Sequence, residues 1–251
     1  MITPSAALGL LIMIETVWFP MPRLDSWLPI KALGRMTAID QSLGTLLFKW
    51  RWPGGAEIPG TQSAESGLPA PWQTRDIGPV KMAGGATYAN DAFMIMGGGW
   101  DIWGTADQFR YVYQIASGDC EIHARVVSVQ NTDLWAKAGV MIRQALSPGS
   151  PHAMIVVTPT AESGVAFQHR GGAGTVSANA QVAGVSAPYW VRMTRSGNTF
   201  TAYRSAEGTV WTSMGSVTIP MPESVYIGMA VTSHTDRILC TTTIDNVSVT
   251  P

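Results

Sequence analysis

Charge is scarce in this chain. Asp, Glu, Lys and Arg make up 13% of its 251 residues, about half the share of an ordinary soluble domain. So sparse a charged surface is expected to be shared with something other than water. Net charge is −1, which removes the electrostatic basis for nucleic-acid binding. Cysteine is nearly missing: Cys120 and Cys240 are too few for a disulfide framework. Each opens an expected strand, CEIHARV and CTTTIDNV. Antiparallel pairing of those strands would hold the two thiols at opposite ends, beyond bonding reach. A single bridge and two free core thiols both stay open.

Catalytic signatures are missing too. The chain has no His-Glu-x-x-His, Gly-x-Ser-x-Gly or Walker loop. Its histidines, His123, His152, His169 and His234, are scattered. Sandwich glycosidases work with two closely spaced carboxyl groups, and here Glu121 stands alone on its strand. These absences lead to the expectation of a chain that is not an enzyme and binds no cofactor directly. Calcium is the one metal left open, at Asp101, Asp107 or Asp245. Turn capping is the plainer role for the same carboxylates.

What the chain does have is an unusual front end. Ala6–Ile14 is an unbroken apolar run, stopped by Glu15, Pro20 and Pro22. As a helix, Ser5–Phe19 would measure about 22 Å at about 1.5 Å per residue. A bilayer core is about 30 Å thick, so this run is too short to span. No Lys or Arg precedes Arg23, so the basic start of a secretory signal is absent. An interfacial helix with Trp18 and Phe19 at headgroup level fits the pattern.

A second helix is expected over residues 30–51. Ile30, Leu33, Met36, Ile39, Leu43, Leu46, Leu47 and Trp50 recur there at steps of three and four. It ends in Lys49-Trp50-Arg51-Trp52, where cations alternate with indoles, as suits a headgroup layer or the rim of a membrane protein. Residues 53–71 have linker composition. The expected division is therefore a docking arm (1–52), a linker (53–71) and a β-domain (72–251). Docking falls to Leu8, Leu11, Ile12, Trp18, Phe19, Trp27, Leu43, Leu46, Trp50 and Trp52, set against lipid or a membrane protein complex.

From Trp72 onward short alternating runs recur between turn signals. Phe109, Tyr111 and Tyr113 share a face, as do Ile122, Ala124 and Val126, then Ala138, Val140 and Ile142. Val165, Phe167 and His169 form another face, and Val225, Ile227, Met229 and Val231 one more. Ser196-Gly197-Asn198 reads as the turn of a hairpin, and a second hairpin is expected around Gly208 and Trp211. About a dozen strands in about 180 residues predict an all-β, two-sheet antiparallel sandwich. Large aromatics in a sandwich are mostly core. If any are exposed for stacking on a glycan, Trp100, Trp103 and Trp135 are the candidates.

The runs DIWGTADQFRYVYQ (101–114), WAKAGVMIR (135–143), AMIVVTP (153–159), APYWVRMTRSGNTFTAYRS (187–205) and VYIGMAVTSH (225–234) resemble a bacterial concanavalin A-like, laminin-G-like sandwich of the jelly-roll kind. The resemblance covers about residues 72–250. It implies a module of exported proteins that binds carbohydrate or a surface, with no shared catalytic residues to carry over. Arm and sandwich together are similar to a membrane-extrinsic subunit of a bacterial photosynthetic complex, one that holds a reaction centre within its light-harvesting ring. That likeness implies a structural subunit on the membrane, with the periplasmic face favoured, and reaction-centre and antenna proteins as partners. The alternative it leaves is a membrane-tethered carbohydrate-binding module.

Overall fold

The computed structural model describes residues 67–251, together with the backbone of residues 35–39 and 47–51. The chain divides into two units, Met1–Ala64 and Glu65–Pro251.

In the first unit, β1 (Arg35–Ile39) and β2 (Leu47–Arg51) pair antiparallel, with Arg35 opposite Arg51 and Ile39 opposite Leu47. The helix expected over residues 30–51 is therefore corrected to a pair of strands at these positions. Five-residue pieces such as Arg-Met-Thr-Ala-Ile and Leu-Phe-Lys-Trp-Arg satisfy a period of two as well as a helical one. Their Thr, Ile, Phe and Trp favour a pleated surface, and the sequence between them carries the turn formers Asp40, Ser42 and Gly44. The remaining docking residues (Leu8, Leu11, Ile12, Trp18, Phe19, Trp27, Leu43, Leu46 and Trp52) lie outside the described residues, as does most of the linker.

The second unit is all β. Its strands are β3 (Gln73–Ile77), β4 (Gly85–Ala89), β5 (Ala92–Gly99), β6 (Phe109–Ser117), β7 (Cys120–Val129), β8 (Lys137–Arg143), β9 (His152–Val157), β10 (Val165–Arg170), β11 (Ala178–Val182), β12 (Tyr189–Ser196), β13 (Thr199–Ser205), β14 (Thr212–Thr218), β15 (Ser224–Thr232) and β16 (Thr235–Thr250). They form two seven-stranded antiparallel sheets, in the orders β11-β10-β9-β8-β15-β6-β3 and β14-β13-β12-β7-β16-β5-β4. Among the described residues no helix is long and apolar enough to cross a membrane.

The inward faces meet as alternation predicts. Ile122, Ala124, Val126, Ala138, Val140, Ile142, Val225, Ile227, Met229 and Val231 lie in one core cluster, against which Leu68 and Trp72 pack. Such burial stabilises by about 25 cal/mol per Å² of apolar surface. Cys120 and Cys240 are both buried and unbonded. Their strands pair antiparallel, with Thr242 opposite Val129 and Thr250 opposite Glu121, so the thiols sit toward opposite ends of the pair.

The first sheet has a second apolar layer on its outer face. Phe109, Tyr111, Tyr113, Met141, Met154, Val156, Ala166 and Ala230 pack there with Ile102 and Leu146 from loops. Strands β8 and β9 are therefore buried on both faces. The Tyr111 hydroxyl donates to the carbonyls of Met141 (3.0 Å) and Tyr226 (3.1 Å), which satisfies a polar group that would be costly to bury alone. The connection from β5 to β6, residues 100–108, forms part of this cover. It leaves β5 at Gly99, whose φ of +109° suits glycine. A side chain there would come within 2.1 Å of the Gln108 carbonyl.

Candidate functional site

Two carboxylates hold the 100–108 connection to the first sheet. Asp107 is sealed from solvent. Arg170 reaches it with both terminal nitrogens, at 2.9 and 2.5 Å, and Arg143 approaches at 3.4 Å. Arg143 and Arg170 flank His152 on adjacent strands, in direct register. Burial, then the charges of Arg143 and Arg170, holds the His152 imidazole neutral, well below its ordinary pKa. Arg170 also donates to the carbonyls of Trp103, Gly104, Pro148 and Ser150. This arrangement ties loops together, and the Asp107, Arg143, His152 and Arg170 side chains at its centre are all buried.

Asp101, at the other end of the connection, sits in a more open cluster. Its carboxylate accepts from Lys137 Nζ and from the Ile102 amide at 2.7 Å. Its second oxygen lies 3.2 Å from His234 Nε2, and His234 Nδ1 lies 2.9 Å from Asp133. The imidazole thus bridges carboxylates from two different loops. His234 has a φ of +55°, an uncommon backbone conformation outside glycine and one often found at functional sites.

The electrostatics follow from these contacts. The hydrogen bond that His234 donates to Asp101 raises the His234 pKa against the effect of burial. Burial pushes the Asp101 carboxyl up, but His234 and Lys137 together outweigh it and hold the group below the usual carboxylate range. Lys137 is buried, and that burial lowers its ammonium pKa despite Asp101 beside it. With His234 protonated, two carboxylates and two cations balance.

The three tryptophans singled out from the sequence lie about these loops. Trp100 is 60% exposed, and its ring stacks on the His234 ring at 6.5 Å and 20°. Trp135 is half-buried, with Lys137 Nζ 5.7 Å from its ring centre, and Asp133 accepts from its backbone amide at 2.8 Å. Trp103 is 39% exposed on the same connection as Trp100. An exposed indole beside fixed carboxylates can stack on an apolar ring face while the carboxylates accept from hydroxyls.

The three carboxylates considered for calcium each meet protein cations. Asp101 meets Lys137 and His234, Asp107 meets Arg143 and Arg170, and Asp245 pairs with Arg125. Among the described residues no group of three or more His, Cys, Asp or Glu is placed to hold a metal ion. Sequence reasoning missed Asp133, Lys137 and His234 as partners. The available signal was the pairing of Asp with Trp in two loops, Trp100-Asp101 and Asp133-Leu134-Trp135.

No protein-family model matches the sequence, and no curated protein matches it. Solved structures do resemble the fold. A functionally unknown protein from Saccharomyces cerevisiae is 15% identical over 66% of this chain and 91% of its own, with a TM-score of 0.54. Xylan β-1,4-xylosidase from Bacillus halodurans C-125 is 13% identical over 64% of this chain and 33% of its own, at 0.45. The exoplasmic/lumenal domain of VIP36, solved with Ca2+ and Man3GlcNAc, is 10% identical over 71% and 83%, at 0.41. These likenesses concern the fold alone, and they are compatible with the concanavalin-like sandwich. The expectation that the chain is not an enzyme is corrected to an open one: glycoside hydrolases are among the structures of similar fold, and likeness of fold alone assigns this chain neither an activity nor the lack of one. The likenesses lend no support to a photosynthetic partner.

Proposed function

We propose that this chain is a membrane-extrinsic binding subunit, with the sandwich as its body and residues 1–52 as the arm that docks it. The observation supporting this is the division of the chain after Ala64, which sets the arm in a unit of its own. Its sequence carries the apolar residues Leu8, Leu11, Ile12, Trp18, Phe19, Trp27, Leu43, Leu46, Trp50 and Trp52, of a kind that lipid or a membrane protein would cover. Tryptophan anchors of this kind carry much of an interface's energy. A photosynthetic reaction centre with its antenna ring is the specific partner to test.

Deleting residues 1–52 is expected to give a folded sandwich that no longer co-purifies with membranes. Retention on membranes would overturn the docking reading. Bacteriochlorophyll absorption in the native preparation would identify the photosynthetic partner, and its absence would remove that partner.

A second reading, a membrane-tethered carbohydrate-binding module, rests on Trp100 stacked on His234 between Asp101 and Asp133. A glycan array on the full chain tests it. Specific binding lost in Trp100→Ala supports it, and binding indifferent to that change refutes it.

A further inference from the structure

The outer face of the second sheet carries another cluster, which neither reading uses. On β12, Trp190 and Arg192 point away from the core, because Val191 and Met193 are buried. Glu121 and His123 on β7 and Tyr203 on β13 share that outer face, alternating with buried Ile122, Ala124 and Ala202. Sheet register sets Arg192 directly between Tyr203 and His123. Trp211 joins them from the turn after β13. That turn rests on the sheet at Gly208, where a side chain would come within 2.7 Å of the Trp190 ring.

The Arg192 guanidinium lies 4.3 Å from the Tyr203 ring centre and 4.7 Å from that of Trp211. The His123 ring is 6.5 Å from Trp190 and 6.3 Å from Trp211. Contacts of this kind hold a guanidinium in a fixed plane. Arg192 Nε is shut off from solvent without a partner, so its terminal nitrogens form the usable edge. The nearest carboxylate oxygen, Glu121 Oε2, is 3.9 Å from Nη1, beyond hydrogen-bond reach. The other Glu121 oxygen meets His123 Nδ1 at 3.3 Å. Arg125 on the same face is different, because Asp245 takes it bidentately at 2.8 and 2.5 Å.

We propose that this face is a binding site for a carboxylate-bearing saccharide, an oligouronide in chemical class. The uronate carboxylate meets the terminal nitrogens of Arg192 in plane, the geometry in which Arg binds carboxylates most strongly. The apolar ring faces of the sugar lie against Trp190 and Trp211. Several half-exposed aromatic planes around one guanidinium favour a sugar over an acidic peptide. Glu121 is the negative charge that opposes the ligand.

The test is calorimetric titration of the full chain in detergent with tetragalacturonate, with its methyl ester and with a polyglutamate peptide. The acid is expected to bind, and the ester to bind about tenfold more weakly, because it loses a hydrogen bond between charged groups. Arg192→Gln should weaken the acid about tenfold, Glu121→Gln should tighten it, and Trp100→Ala should leave it unchanged. That last variant separates this site from the one beside His234. Should Arg192→Gln fail to fold, the ester and Glu121→Gln carry the test. Failure of the acid to bind, equal binding of acid and ester, weaker binding by Glu121→Gln, or peptide binding as strong as sugar binding would overturn the proposal.

Discussion

At one end of the 100–108 connection, Asp107 is closed in by Arg143 and Arg170; at the other, Asp101 shares its charge with Lys137 and His234 beside the exposed Trp100. Both carboxylates anchor the same loop to the same sheet. They differ in what surrounds the ion pair. The side chains of the Asp107 site are shut off from solvent, and its guanidiniums spend most of their remaining donors on backbone carbonyls. The Asp101 site has a titratable partner in His234, which reaches on to the half-exposed Asp133 of another loop. A buried pair of the first kind fixes a loop, whereas the second kind leaves chemistry within reach of a ligand. Pairing with a cation does not by itself separate structure from function; the burial of the partners does.

The sharpest way to test this contrast is Asp107→Ala. It strands two buried guanidiniums, and removal of one partner from a buried pair costs about 3–5 kcal/mol. Urea denaturation should read a loss of that size, and a loss under about 1 kcal/mol would mean the site is not sealed. Next in size is Lys137→Met, expected to cost about 1–3 kcal/mol as Asp101 loses its buried donor; a stabilised variant would show the ammonium to be a net burden.

His234→Gln tests the open end through pH. The folded His234 pKa lies above 6.5. Its contribution is therefore fully present below that pH and is lost as pH rises through the folded value. Asp101 adds a contribution present above pH 3.8 and lost as pH falls through its own lowered pKa. His152 works in the opposite sense to His234, because the unfolded chain takes up that proton first as pH drops below 6.5. Wild type and His234→Gln share the His152 effect, so their stability difference reports His234 together with its hold on Asp101. That gap should be wide near pH 5 and narrow near pH 8, and a constant gap would mean the imidazole does not titrate in place. The smallest expected effect is that of Trp100→Ala, within about 0.5 kcal/mol for so exposed a side chain. A larger loss would make Trp100 part of the packing and not of a recognition surface.

Much of the sandwich was legible in the chain. Ile122, Ala124 and Val126, or Ala138, Val140 and Ile142, alternate cleanly, and Gly197-Asn198 turns β12 into β13 with Ser196 opposite Thr199. These are local signals. Phe109, Tyr111 and Tyr113 share one face by alternation, as the structure has them, but nothing local says that the face lies outside the main core, under loops. Arg143, His152 and Arg170 look like solvent-facing strand residues until Asp107 arrives from 36 and 63 residues away. The Asp101–His234–Asp133 bridge joins loops that only the completed topology brings together. The arm misled for the reverse reason: β1 and β2 are so short that their residues fit two periods at once.

The sixteen-residue β16 lies inside its sheet, paired with β5 on one side and β7 on the other. Both neighbours precede it by more than a hundred residues, so the sheet cannot close until a distant part of the chain arrives. Until then the inner faces of β5 and β7 have no strand between them to complete the core. Contacts of such long sequence separation slow folding and prolong the interval in which apolar strand faces stand open, and in this sandwich that interval is set by the position of one central strand.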